Sequence, residues 1–484
     1  MRSFSPECTL PSEDGVFVQD PNVRSTMSIV WSSLIIIFLC TWSILHLNVP
    51  PQLRPLPPPK SSWESCRRAF FQAWYPFRRK ALWMIFVMLV PEYPLGLAIG
   101  KYWSARLSTS RILEFQRSEK HESEAEWTLT HSLYADMGGF VLKFEPSPLD
   151  MGDVVGQDDT SKGFREFANR HTEGYPHLGP FDWNPHKDHY ELARRWSRTF
   201  VHFAGASRFL MGDAWTLTSA QLLKARQYGI IAALPDISEA QIRDKSKGDM
   251  LVKLLALVQV IWLCIQLAIR AATGRESSQI EIAALAFAVC SFITYSHLVF
   301  QPKDIQTPTT IRATRSPDYD EFKIFMAMRP TELVTTPFGI RTYAMSSPMV
   351  ADFSGSPRLH RKLQLSAGYG FLAGLTVFGA IHLIAWNLHF PTQVELLLWR
   401  VSGLGVTALP LMAGSINFVS DAWEDSHGWR KQVSVVADLC VGIIGLVVFP
   451  AARVYLLVEA FRSTYYLPPS TYISTWVANI PHIG

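Results

Sequence analysis

Residues Leu365–Leu388 read LSAGYGFLAGLTVFGAIHLIAWNL, twenty-four positions without an Asp, Glu, Lys or Arg. A helix of that length extends about 36 Å at 1.5 Å per residue, enough to cross a hydrocarbon core of about 30 Å. This block sets the class of the chain. The sequence predicts an all-α, polytopic helical membrane protein.

Five further blocks of the same kind stand at Met27–Leu47, Met250–Ile269, Ile280–Phe300, Val401–Ser420 and Val433–Ala452. A seventh segment, Ala81–Gly100, is long enough to cross but carries Pro91-Glu-Tyr-Pro94 at its midpoint. A carboxylate at the bilayer centre costs about 2.5–3.5 kcal/mol, and the two prolines free backbone carbonyls that need other partners. Both flanks of this segment are basic, with Arg78, Arg79 and Lys80 before it and Lys101, Arg106 and Arg111 after it. A crossing helix has an asymmetric bias, so a span and a re-entrant hairpin compete here, and the prediction is six or seven transmembrane helices. If 81–100 does not cross, the basic connectors 48–249 and 301–364 fall on one side, which the positive-inside bias makes cytoplasmic.

On this reading the chain divides into an N-terminal tail (1–26), a first transmembrane helix (27–48) and a Pro-rich, basic connector (49–80). The second membrane segment (81–100) leads to a large, mostly helical polar region (101–249) between the second and third membrane segments. A transmembrane pair (250–300), a polar basic connector (301–364), three transmembrane helices (365–453) and an interfacial C-terminal segment (454–484) complete it. The apolar block at 27–47 ends at Asn48-Val-Pro without a small-x-small cleavage site, so it reads as a retained signal anchor. Within 101–249, Thr218 followed by Gln221 and Ser238 followed by Gln241 predict capping boxes.

A net charge of +4 over 484 residues gives no reason to expect nucleic acid as a partner. The expected partners are the lipid bilayer and, through 101–249, a protein; no cofactor is implied. Four of the six cysteines (Cys40, Cys264, Cys290, Cys440) fall inside predicted spans, and no disulfide framework or CxxC zinc pattern can be drawn.

Chemistry is harder to find. Glu92 is the first candidate catalytic or transport residue, because intramembrane acids line ion and proton paths. The sequence offers it no Lys or Arg at matching depth in another span. Asp438, about two turns into the last predicted span, is the second such acid. His186 and His189 stand three apart and share a face if helical, as zinc ligands sometimes do, but no Cys or Glu stands at accompanying spacing. Gly138-Gly139 fits a helix end better than a phosphate turn, and Gly370 with Gly374 fits helix packing.

Several segments form a set: Tyr134-Ala-Asp-Met-Gly-Gly-Phe140, Pro235–Asp249, Trp386-Asn-Leu-His-Phe-Pro-Thr392, Trp399-Arg400, Trp42 through Pro50, and Trp476-Val-Ala-Asn-Ile-Pro481. Together they resemble a large group of uncharacterised fungal multi-pass membrane proteins. The resemblance implies an architecture and a fungal origin, with some members accompanying secondary-metabolite genes, and it brings no activity. The leading expectation is a membrane scaffold or accessory protein. The alternatives are a transporter or channel using Glu92 and Asp438, and a membrane-embedded enzyme of fungal secondary metabolism.

Overall fold

The computed structural model describes residues 24–50, 61–118, 126–143, 214–247, 250–315, 357–422 and 447–475, with single residues and two short strands between 317 and 350. Helix α1 (Thr26–Ile44) begins where the Ser25 hydroxyl accepts the Ser28 N–H at 3.1 Å, satisfying one orphan donor of the first turn. Past Ile44 the chain extends, and Val49 N–H donates to Met137 O at 2.9 Å. Helices α2 (Ser62–Leu89) and α3 (Glu92–Ser118) follow, and the Phe77–Leu89 part of α2 is bent by 106° from α3 at the break between them. Pro91 precedes α3 and Pro94 lies in its first turn, where an N–H has no intrahelical acceptor to lose.

A polar body comes next. Helix α4 (Leu129–Asp136) stops at Gly138, whose φ of 87° favours glycine, and the chain turns into β1 (Phe140–Lys143). A Cβ on Gly139 would strike the Tyr134 ring and carbonyl, so this pair ends a helix, as its composition predicts. Strand β2 (Ala214–Thr216), α5 (Ser219–Gln227) and α6 (Glu239–Asp244) lead to α7 (Met250–Ala272). Both predicted capping boxes form, Thr218 with Gln221 and Ser238 with Gln241. Helix α8 (Gln279–Leu298) precedes β3 (Thr309–Arg312).

The chain is mostly helical, yet the all-α expectation omits a three-stranded sheet of order β2-β1-β3. Central strand β1 pairs antiparallel with β2 and parallel with β3. Its inward residues Phe140 and Leu142 are fully buried, but four residues of alternation are too few to stand out in a sequence. A two-stranded antiparallel ladder joins β4 (Thr331–Glu332) to β5 (Met349–Val350). One apolar core unites the body, drawing Val49 from the exit of α1, Ile112, Tyr134 and Leu222 from α3, α4 and α5, and Ile305 and Phe325 from the chain after α8.

The rest is a helical bundle: α1, α7 and α8, then α9 (Pro357–His382), a 3-10 turn (Leu383–Asn387), α10 (Gln393–Ala422), α11 (447–462) and a short α12 (Pro469–Tyr472). Among the described residues, five helices are long and apolar enough to cross a bilayer, or six if the bent α2–α3 pair counts as one span. Apolar clusters fill much of their interior, with Ile36, Trp262 and Ala284 packed in one and Trp399, Val406 and Leu456 in another. Their outer faces are apolar too, with Leu254, Ile261, Val401, Leu411, Val454 and Val458 exposed. Helices greasy on every side are stable only when lipid or protein covers them. Where the sequence placed an interfacial segment after residue 453, the structure runs one helix through 447–462, with Leu456 and Ala460 in the bundle core.

Candidate functional site

Small residues set the geometry of the bundle centre. Helix α9 lies alongside α3, with Gly370 opposite Ile99 and Gly374 opposite Glu92 and Leu95. A Cβ on Gly374 would stand 3.1 Å from that of Glu92, so glycine permits the first turn of α3 to approach closely. Glu92 is thereby carried deep into the bundle at the bend between α2 and α3, with its side chain 1 % exposed.

The sequence assigned Glu92 no basic partner, because Arg453 stands just past the last apolar block and reads as its boundary. The structure corrects this. Arg453 Nη1 of α11 lies 3.0 Å from Glu92 Oε1. The guanidinium also sits 3.7 Å over the Phe378 ring of α9, a cation–π contact. Phe378 in turn packs edge-on against Phe287 of α8 at 5.3 Å and against the buried His382 ring at 4.7 Å. His382 Nδ1 lies 2.8 Å from Phe378 O, and Trp399 Nε1 donates to His382 O at 3.2 Å. Four helices therefore converge on one acid and one base. Neither Glu92 Oε1 nor Arg453 Nη1 has a hydrogen-bond partner beyond this charge contact, among the described residues.

The flanks of the bend are informative. Arg79, in α2, donates to Asn48 O at 3.0 Å, and Lys101, in α3, donates to Asn48 Oδ1 at 3.3 Å. Residues on both sides of Glu92 thus meet at one point of the chain, the exit of α1.

Two other polar clusters hold the ends of the bundle. Beside the polar body, Asp136 Oδ1 accepts from the N–H and hydroxyl of Ser219, at 2.9 and 2.7 Å, while its buried Oδ2 has no hydrogen-bond partner among the described residues. Burial pushes its carboxyl up to about 6, against the opposing pull of the Ser219 donors and of Lys101. At the opposite end Glu281 receives Arg24, Gln266 Nε2 at 2.9 Å and both donors of Ser278. Arg270 there donates to the carbonyls of Glu276, Ser470, Thr471 and Ile473, pinning the C-terminal segment to the α7–α8 turn. Gln266 of α7 thus reaches Glu281 of α8, and Asn387 Oδ1 accepts from Arg400 of α10 at 3.4 Å.

Asp438, His186 and His189 lie outside the described residues. Among the described residues, no group of three or more His, Cys, Asp or Glu side chains could hold a metal ion. Cys40, Cys66, Cys264 and Cys290 are free thiols.

A family model described as a family of unknown function (DUF8562) matches residues 4–157 and 216–335, more than half of the chain. No curated protein and no solved structure matches. The matched region holds α1, the α2–α3 bend and the polar body, and it ends before α9, so the likeness at 386–392, 399–400 and 476–481 lies beyond it.

Proposed function

We propose, from the premise that this chain belongs to the family of unknown function DUF8562, that it is an integral membrane scaffold or accessory protein. Its polar body stands on the cytoplasmic side and offers residues 101–249 to a protein partner. The observation that carries this reading is the shared core: Val49, Ile112, Ile305 and Phe325 belong to one cluster, so the body is mounted rigidly on the bundle instead of hanging from it. Five long apolar helices with apolar outer faces support embedding in lipid. The meeting of Arg79 and Lys101 at Asn48 supports a re-entrant hairpin, with Glu92 near its tip, over a seventh crossing. Six crossings then include the predicted span 433–452, most of which lies outside the described residues. A fungal source and a tie to secondary metabolism rest on the resemblance alone.

Cysteine-accessibility labelling tests the orientation. Single cysteines placed in 101–249 should react with an impermeant maleimide only after cells are permeabilised. Reaction in intact cells would overturn the cytoplasmic placement.

A specific observation favours a second reading, transport or ion conduction: a buried Glu92–Arg453 pair at a broken helix inside a bundle. Substitution Glu92→Gln separates the two. A transporter shows gradient-driven flux in proteoliposomes that the substitution abolishes, and a scaffold shows none; on either reading, removing one partner of the buried pair destabilises the fold by about 3–5 kcal/mol. The enzyme reading needs acids converging on an apolar pocket, and the group that faces Glu92 is a guanidinium.

A further inference from the structure

Helix α2 is poorly explained by the bundle it serves. Its first sixteen residues expose large aromatics: Trp63 is 75 % exposed, Phe70 61 %, Trp74 46 % and Phe77 51 %. At 100° per residue these four fall within an arc of about 60°, a single stripe. Phe70 stacks on Trp74 at 6.3 Å, and Trp74 meets Phe77 at 4.9 Å, so the stripe is already ordered. Arg67 and Arg78 border it, and residues 62–80 carry Arg67, Arg68, Arg78, Arg79 and Lys80 against Glu64 alone among acids.

The direction of the helix decides what covers the stripe. Helix α3 runs beside α9 and so along the bundle axis, and the Phe77–Leu89 part of α2 lies at 106° to it; residues 62–76 continue the same unbroken helix. A helix of 28 residues, about 42 Å long, inclined in that way descends only about 12 Å along the axis. It therefore lies nearly flat, at the level where Lys80 meets Asp304 at 2.7 Å and covers the Trp42 ring at 4.1 Å, the exit of α1. Aromatic rings of this kind belong at the headgroup boundary, and the arginines beside them are complementary to anionic headgroups.

We infer that α2 is an in-plane amphipathic helix that binds the anionic lipid surface of the leaflet on the polar-body side. The inference rests on reading the bundle as membrane-embedded, and its test separates the two.

Nitroxide labels would be placed at native Cys66 and at Phe77→Cys on or beside the stripe, at Ser65→Cys and Ala69→Cys on the far face, and at Ile261→Cys on α7. All other cysteines are replaced, and the full-length protein is reconstituted in phosphatidylcholine liposomes with or without about one third phosphatidylserine. Oxygen should exceed a water-soluble nickel chelate as a collision partner at positions 66 and 77 and fall below it at 65 and 69. Phosphatidylserine should deepen positions 66 and 77, and Arg67→Gln with Arg78→Gln should abolish that increment. Water-like values around the whole helix, with position 261 in lipid, would overturn this inference alone. Shielding at 66 and 77 that persists in detergent and grows with protein concentration would assign the stripe to a second copy and overturn it too. Water-like values at position 261 would overturn the embedded bundle itself.

Discussion

Asp136 shows how one buried carboxylate ties stability to pH. Its folded-state value is raised to about 6 from an ordinary 3.8, so the protonated form is favoured by folding. That contribution is complete below the unfolded value and is lost as pH rises through the folded one. The native protein should therefore lose thermal stability between about pH 4 and pH 6, and Asp136→Asn should flatten that window while keeping the Ser219 donors satisfied. Melting curves of both proteins across the range check this. At the same scale, Glu92 was legible in the sequence as a costly intramembrane acid, whereas its partner was not. Arg453 is one residue past an apolar block, and hydropathy reads such a position as an end. Only the packing of α9, with Phe378 beneath the guanidinium, shows that the helix carries its charge inward.

Among the elements, the long helices declared themselves through uncharged runs, and their caps through Ser, Thr and Gln at the proper offsets. Bounds were harder to place where charges are satisfied by neighbours. Helix α10 begins at Gln393, eight residues before the predicted span, because Glu395 pairs with Arg462 and Arg400 donates to Trp386 O at 3.0 Å. The sheet stayed hidden because β1 and β3 are four residues each and β2 is three. Close helix contact is the element-scale feature most open to test. A Cβ on Gly379 of α9 would stand 2.8 Å from Thr407 N and 2.9 Å from Val406 C, both backbone atoms of α10. Gly379→Ala should force the two helices apart and cost about 1–3 kcal/mol, as overpacking does. Gly368, with open space at its Cβ, should accept the same change with little loss of melting temperature in detergent.

For the molecule as a whole, the polar body and the greasy bundle are halves of one construction. The parallel pairing of β1 with β3 and the burial of Val49, Ile305 and Phe325 mean that residues 101–249 lack part of their own core. Expressed alone they should give a non-cooperative or aggregating product, and a fragment rejoined to 301–325 should unfold more sharply in denaturant. Division into connectors and spans cannot show that two connectors share one interior, since periodicity reports local burial and not its partner. There is a consequence for biosynthesis. Strand β1 leaves the ribosome long before β3, and the whole α7–α8 hairpin is made between them. At about 5–20 residues per second, the stretch between them takes roughly 8–33 s to make, and β1 keeps one edge unpaired over that time. On the proposed membrane-embedded reading, faulty insertion of α7–α8 should leave the half-made body open, with the unpaired edge of β1 exposed to chaperones.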